Sequence, residues 1–417
     1  MIDATVAKAR ADASQSARTT IEALDQALRD SGPAEALAIL ARRLDEQGDY
    51  RALLDARLLQ ARLELGLPSV QTEGLDDVPE PVRSRYEDRY VAAIREVGHK
   101  FLAKGDVPGA WPYFRAIGEP EPVAQAIEAY VPSEDDDRLS ALIEVAFNQG
   151  ANPRKGFEWI LGHYGTCSAI SAFEHLPREG ATRVACAGSL VRQLHGHLLA
   201  NLRAEIAHRG QPSPPEGTPI AELLPGRDWL FQDEAYHIDV SHLASTVRVS
   251  PLLTDPELIA LAFDLTEYGR RLSGRHVFEG DPPFDRVYED HGVYLRALLG
   301  RDVEDALSHF RAKLSAEAPD PTEGFDDGFG PPQKDTAPAQ VLVGLLARLG
   351  RLDEAIDVAS EHLAREPEST LFCPSVAQLC QRAGRPERLA QVALRNDDPV
   401  RYAAARLMSA SESPPKG

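Results

Sequence analysis

The amino-acid sequence predicts an all-α protein built from stacked antiparallel helical hairpins. Alanine, leucine, arginine and glutamate dominate the 417 residues, and the alternating valine, isoleucine and threonine runs typical of β-strands are almost absent. Apolar residues recur at helical spacing on both sides of single glycines. Two of these glycines, Gly350 and Gly384, are 34 residues apart, which is the period of a helix-turn-helix repeat.

The segment Val91–Pro122 carries the hairpin pattern most completely. It predicts two short amphipathic helices joined by a tight turn at Gly105. Gly98 and Ala110 are small residues at positions where the two helices would cross closely, and Phe114 marks the apolar face of the second helix. Because such a hairpin cannot bury its own apolar face, it implies further hairpins stacked beside it.

The chain before and after this segment also predicts helices. A long helix is expected over residues 3–29, and a second helix begins at Pro33, which suits a first helical position. Its partner ends near Gly66, and further helices are expected as far as Ile160. We therefore predict an N-terminal helical repeat region over residues 1–176.

The central section, residues 177–283, departs from the repeat and is expected to pack as a helical insert. Its predicted elements are a long helix over 180–209, a proline-rich loop over 210–217, a helix over 229–249 and a helix from Thr254 to about Leu272. A proline-containing break at 280–283 ends the section.

The repeat pattern resumes in the C-terminal region, residues 284–410. Hairpins are expected around the turn glycines Gly300, Gly350 and Gly384. A linker over 318–338 separates the first of them from the second, and residues 411–417 are expected to form a frayed tail.

Residues 91–122 and 339–395 resemble tetratricopeptide repeats. That family's pattern asks for two small residues, a turn glycine, an aromatic residue in the second helix and a closing proline. The first stretch supplies all of these, as Gly98, Ala110, Gly105, Phe114 and Pro122. The resemblance implies an α-solenoid with a concave groove that binds a protein or peptide, and it implies no catalysis.

The second stretch departs from the family pattern at two positions. Gly350, Ala355 and Pro367 match it. Val343 replaces the first small residue, however, and Ala359 replaces the aromatic residue. The tryptophan that is usual early in the first helix is missing from both stretches, so the resemblance rests on the small residues and the turns.

Composition and charge exclude several classes of partner. The formal net charge of −20 repels phosphate backbones and anionic lipid surfaces, so we expect neither a nucleic acid nor a membrane as partner. No apolar run approaches the roughly 18 residues of a membrane span, and the N-terminus lacks the pattern of a signal peptide. The four cysteines follow no CxxC or zinc-like spacing. These features predict a cytoplasmic location.

A group of histidines in the central section suggests chemistry. Two Glu-x-x-His spacings occur there, Glu205–His208 and Glu234–His237. On a helix, residues three apart share a face, so each pair can present a carboxylate and an imidazole to one ion. Such pairs on facing helices hold two iron or manganese ions in helical bundles. The four residues are therefore candidate metal ligands.

A different metal site is also open. His195, His237 and His242 offer a three-histidine set for zinc or nickel. Additional ligands for either kind of site are conceivable elsewhere in or near the section, at Asp239, Glu267, His276 and Glu289.

Metal-free chemistry is a further alternative. His237 and Ser241 lie four residues apart in a predicted helix, so His237 is a candidate base toward a hydroxyl, with Asp239 and His242 as the other catalytic candidates. No glycine-framed nucleophile elbow surrounds Ser241, and the phosphate-binding, dinucleotide-binding and His-Glu-x-x-His motifs are missing from the sequence. The competing interpretation is that these histidines simply pack between helices.

Three functional hypotheses follow. The leading one is a tetratricopeptide-like scaffold that binds a protein or peptide in a concave groove. The alternative is a metal-dependent or histidine-based enzyme with its site within residues 195–242. The third is a structural helical protein without a pocket. The enzyme hypothesis in its metal form requires four side chains to converge, namely those of Glu205, His208, Glu234 and His237.

Overall fold

The computed structural model describes residues 2–70, 78–133, 135–212, 214–316 and 336–411. These residues form twenty α-helices and no β-strand, which confirms the predicted all-α class for the described part of the chain. The predicted tail lies outside the described residues from position 412 onward, and the predicted linker lies outside them as far as position 335.

The chain divides into two compact units, Met1–Ile160 and Leu161–Gly417. These units mark a single break, so the three-part division at residues 176 and 283 stays a prediction. Among the described residues, no helix combines the length and apolar character needed to cross a membrane.

The first unit consists of helices that pack on their neighbours in chain order from α1 to α6. The helices of this unit are α1 (Ile2–Asp30), α2 (Pro33–Gln47), α3 (Tyr50–Glu64), α4 (Val82–Ala103), α5 (Val107–Ala116), α6 (Glu121–Ala129), α7 (Leu139–Ile143) and α8 (Pro153–Trp159).

Two hairpin turns of this unit share one local structure, a left-handed glycine followed by an aspartate that caps the next helix. Gly48 and Gly105 each have a φ of 72°, a left-handed conformation that glycine adopts without steric cost. In each turn the next residue is an aspartate that caps the following helix. Asp49 accepts a hydrogen bond from the backbone N–H of Ala52 at 3.1 Å, and Asp106 accepts one from that of Gly109 at 2.8 Å.

The helix crossing predicted at Gly98 is present. A Cβ atom added at Gly98 would lie 2.7 Å from the ring of Phe114, which is fully buried on α5. Only hydrogen at this position lets α4 and α5 approach so closely. Aromatic rings extend the contact to α3, because Phe101 packs edge-on against Tyr50 and stacks on Tyr113.

The second unit begins with a bundle and continues as hairpins. Its described helices are α9 (Gly165–Glu174), α10 (Ala181–His208), α11 (Ile220–Leu223), α12 (Val240–Val249), α13 (Pro256–Gly269), α14 (Val287–Leu298), α15 (Val303–Ala316), α16 (Ala337–Arg348), α17 (Leu352–His362), α18 (Val376–Ala383), α19 (Pro386–Arg395) and α20 (Pro399–Ser411). Helix α10 packs against α9, α12 and α13, and α12 also packs against α14. From α14 to α20, each helix packs against the next along the chain.

The helix predicted over 229–249 is wrong in its first half. Residues Asp228–Glu234 form 3₁₀ turns interrupted by a kink at Gln232 and Asp233. Asp233 and Glu234 have φ values of 56° and 60°, which a right-handed helix does not contain. The α-helix starts only at Val240, because the side chain of Asp239 caps it. His237 therefore lies in the loop before α12, and His237 and Ser241 do not share a helical face.

Candidate functional site

The most organised polar group among the sequence-predicted residues surrounds His237. The backbone N–H of His237 donates to the hydroxyl of Tyr268 at 2.7 Å, and Nδ1 of the same histidine lies 3.1 Å from that hydroxyl. Tyr268 belongs to α13 and is fully buried. Asn201 of α10 donates to the carbonyl of His237 at 2.7 Å. Two helices thus fix the loop that carries the imidazole.

The two contacts with the Tyr268 hydroxyl favour one neutral tautomer of the His237 imidazole. The hydroxyl oxygen of Tyr268 accepts the backbone N–H of His237, and the hydroxyl can donate its one hydrogen to Nδ1 of His237. That assignment puts the ring proton on Nε2, since a neutral imidazole carries a single N–H. In this state Nε2 of His237 donates hydrogen bonds. Nδ1 is then occupied by the Tyr268 hydroxyl, and Nε2 could act as a base or a metal ligand only in the other tautomer.

Burial sets the charge of the pair. Desolvation lowers the pKa of His237, and the carboxylate of Glu205 opposes this shift in part. Burial raises the pKa of Tyr268 to about 12. Near neutral pH both groups are therefore uncharged, and the hydroxyl keeps the hydrogen that it shares with the imidazole.

The four candidate metal ligands do not converge. Glu205 pairs with Arg209 at 3.0 Å, and His208 is an exposed residue at the end of α10. Glu234 pairs with Arg275 at 3.3 Å, whereas His237 faces Tyr268. Within the described parts of the chain, no three His, Cys, Asp or Glu side chains are close enough to hold a metal ion.

The other catalytic candidates act in capping. Asp239 accepts hydrogen bonds from the backbone N–H groups of Ser241 and His242 at 2.9 and 3.1 Å, and also one from the Ser241 hydroxyl. These bonds, the Ser241 hydroxyl first, lower the pKa of Asp239. The residues Asp239, Ser241 and His242 therefore begin a helix, and His237 does not hydrogen-bond to the Ser241 hydroxyl.

The three-histidine set is separated as well. His195 is buried, and its Nε2 lies 3.1 Å from a carboxylate oxygen of Asp264. Asp264 also accepts the backbone N–H groups of Ile220 and Ala221 at 2.8 and 3.1 Å. This buried carboxylate joins α10, α11 and α13, so His195 has a structural partner of its own.

No protein-family model matches this chain, and no curated protein sequence matches it.

A second buried polar cluster was not foreseen from the sequence. Asp290 is fully buried on α14 and accepts hydrogen bonds at 2.8 Å from His309 and from Lys313, both on α15. It also accepts the backbone N–H of Arg286 at 2.8 Å. Because these hydrogen bonds come from the start of α14 and from α15, the cluster joins α14 to α15.

Some of the polar residues that were not predicted do have a signal in the sequence, and others have none. Asp264 stands alone within the apolar stretch 258–265, a pattern that indicates a buried carboxylate. The spacing of four between His309 and Lys313 places them on one helical face. Tyr268 gave no signal, because its contact with His237 joins residues 31 positions apart.

Proposed function

We propose that this chain is a helical-repeat scaffold of the tetratricopeptide-like kind that binds a protein or peptide partner. The observation that carries the proposal is a repeated coupling between hairpins in the second unit. Arg351 follows the turn glycine of one hairpin and pairs with Glu304 of the preceding hairpin. Arg385 follows the next turn glycine and pairs with Asp353 at 3.1 Å. A coupling that recurs in this way supports stacking of equivalent units.

Open crevices along the hairpins support the same proposal. One of about 370 Å³ is lined by the turn after α4, by Tyr130 and by Leu142. Another, of about 400 Å³, lies where the ends of α17 and α19 meet the start of α20. Their volumes lie at the low end of the roughly 300–1,000 Å³ of small-molecule pockets. Because both crevices are open to solvent and do not enclose a ligand, they can receive side chains of a polypeptide that runs over the surface.

Binding can be tested with the whole chain. Peptides are selected from a random 15-residue library on the immobilised protein, and each selected sequence is measured by titration calorimetry. We expect 1:1 binding with a Kd on the order of micromolar, as is common for peptide recognition by a preformed surface. The proposal fails if selection yields no peptide with measurable affinity.

Hydrogen exchange on the complex then locates the surface. Protection in helices α2–α5 or α14–α20 supports the hairpins as the binding element. Protection confined to residues 231–242 would contradict the scaffold and would favour a binding site at the loop that carries His237.

A second candidate function is a histidine-based enzyme at His237. The specific observation in its favour is the half-buried imidazole, which Tyr268 holds in place and which lies in the field of Glu205. Burial of a titratable group next to a charge is typical of functional sites. Against it stands the tautomer derived above, which leaves Nε2 as a donor.

This second candidate is tested by turnover. Ester, phosphoester and amide substrates are screened with the wild-type chain and with His237→Gln. Activity that disappears in the variant supports the enzyme. Equal turnover in both proteins, or none in either, contradicts it.

A further inference from the structure

Helix α20 has apolar residues on two opposite sides. Its inner side is buried, with Ala405 fully inaccessible. Its outer side carries Val400, Ala403, Ala404 and Leu407, whose spacing of 0, 3, 4 and 7 places them in one stripe. Val400 is 77% exposed and Leu407 is 71% exposed. This stripe is called the α20 outer face.

A polar outer face is what a packed surface helix normally presents. The inner side of α20 already supplies the apolar contact that holds the helix on α19, so the outer face is not needed for folding of this helix. Its pattern of large, small, small and large side chains matches the surface against which another helix packs. The arrangement therefore indicates a helix as the occupant.

Charge defines the chemistry of that occupant. The 13 residues of α20 include Arg401 and Arg406 and no carboxylate. Arg401 is engaged within the chain, because it pairs with Asp398 at 3.5 Å and donates a hydrogen bond to the carbonyl of Ala364 at 2.7 Å. Arg406 is exposed. At 100° per residue Arg406 lies beside the α20 outer face. Arg395, near the end of α19, is a further exposed arginine close in the chain. Guanidinium groups pair well with carboxylates, so the surface favours an acidic neighbour.

We propose that the α20 outer face binds an amphipathic helix of a partner protein, whose apolar stripe is flanked by carboxylates. This inference rests on the proposed scaffold function and names the surface and the chemistry of the partner.

Two other occupants fit less well. A second copy that docked through its own α20 would bring Arg406 against another arginine-bearing helix. An anionic membrane or a nucleic acid would meet the field of a chain with a net charge of −20. A single acidic helix carries few charges and engages the arginines at short range, where salt screens the distant field.

The test uses three synthetic helical peptides of 21 residues. The first has leucine at heptad positions a and d and glutamate at e and g. The second replaces each glutamate by lysine, and the third replaces each leucine by serine. Binding to the full chain is measured by fluorescence anisotropy. We expect the first peptide to bind at least about tenfold more tightly than the other two.

Variants locate the contact. Leu407→Ser and Arg406→Glu are each expected to weaken the glutamate peptide by about tenfold or more, as truncation of a central contact commonly does. Val131→Ser is the matched control, because Val131 is 86% exposed and lies in the other compact unit. It is expected to change nothing. Since Leu407 is exposed, thermal melts should show that all three variants remain folded.

Three outcomes overturn the inference. The first is unchanged affinity in Leu407→Ser and Arg406→Glu. The second is a concentration-dependent dimer that Leu407→Ser abolishes, which would assign the face to a second copy. The third is binding of the wild-type chain to phosphatidylserine vesicles through the same residues, which would assign it to a membrane surface.

The peptide library tests the scaffold function independently of the α20 outer face. If library-selected peptides bind but the affinity of the glutamate peptide is unchanged in Leu407→Ser and Arg406→Glu, the scaffold stands and this inference fails. If the library yields no binder, the scaffold fails whatever the designed helices do.

Discussion

The hydroxyl of Tyr268 bonds to His237 twice, once at its backbone N–H and once at its ring, although the two residues are 31 positions apart. A single buried group thereby holds the path of the loop and favours the tautomer of His237 whose Nδ1 accepts a hydrogen bond. The same contact explains why the predicted helix over 229–249 starts late, since His237 directs its N–H toward α13.

Tyr268→Phe removes this hydroxyl and leaves the ring in place. Two hydrogen bonds are lost, and the N–H of His237 loses its acceptor, so we expect unfolding free energy to fall by about 1–3 kcal/mol. Urea denaturation measures the loss. Tyr236→Phe is the control, because Tyr236 is in the same loop but 55% exposed. Equal effects of the two substitutions would contradict a special role for the Tyr268 hydroxyl.

The metal form of the enzyme hypothesis is tested by elemental analysis. Because the four candidate ligands do not converge and no group of three His, Cys, Asp or Glu side chains in the described residues could hold a metal ion, we expect no stoichiometric iron, manganese, nickel or zinc in the purified untagged protein. His237→Ala is analysed in parallel. Near-stoichiometric metal in the wild type that falls in the variant would contradict this expectation and favour the enzyme.

Gly98→Ala tests the close crossing of α4 and α5. The added methyl group would meet the ring of Phe114 at 2.7 Å, so we expect a loss of about 1–3 kcal/mol from overpacking. Gly196→Ala is a matched substitution inside α10, where the added methyl group meets no atom within 4 Å. There we expect a gain of up to about 1 kcal/mol from helix propensity. Denaturant unfolding measures both, and a loss at Gly196 as large as at Gly98 would contradict the account.

Asp264→Ala removes the carboxylate that joins three helices. Its three donors, including Nε2 of His195, would remain buried without an acceptor, so we expect a loss of about 3–5 kcal/mol. Asp255→Ala removes an exposed cap of α13 and should cost only about 1 kcal/mol. Thermal and denaturant unfolding of the two variants should separate them clearly. Similar losses would show that Asp264 acts only as a cap.

His291 predicts a pH dependence of stability. Burial lowers its pKa from 6.5 to about 4, so between these values the unfolded chain binds the proton more readily than the folded chain. Its contribution is fully present above about pH 6.5 and is lost as the pH falls toward about 4, with a total on the order of 3 kcal/mol. His291→Leu should flatten this part of the pH profile.

The measurement is urea unfolding at several pH values between about 4 and 7, the window given by the two pKa values of His291. His197→Leu is the control, since His197 is exposed on α10 and should leave the profile unchanged. An unaltered slope in His291→Leu would show that other groups determine the acid sensitivity.

The sequence by itself determined the helices and most of their ends. Gly105 and Gly48 end helices because only glycine adopts the left-handed turn without cost, and Asp49 and Asp106 begin the next ones by capping. These are local effects between residues a few positions apart, so the order of residues is enough to predict them. The close approach of α4 and α5 at Gly98 and Phe114 was also predictable, because both residues lie at fixed positions of one hairpin.

Only the tertiary structure decided which polar groups meet. Glu-x-x-His spacing placed Glu234 and His237 on one helical face, but Asp233 and Glu234 adopt left-handed conformations and the helix does not exist there. The partners of His195 and His237 come from α13, far along the chain. Which polar side chains meet at a site depends on the distances between segments that are remote in the chain. The packing of the helices determines those distances. The periodicity of one segment specifies which face of a helix is buried, and it leaves open what lies opposite that face.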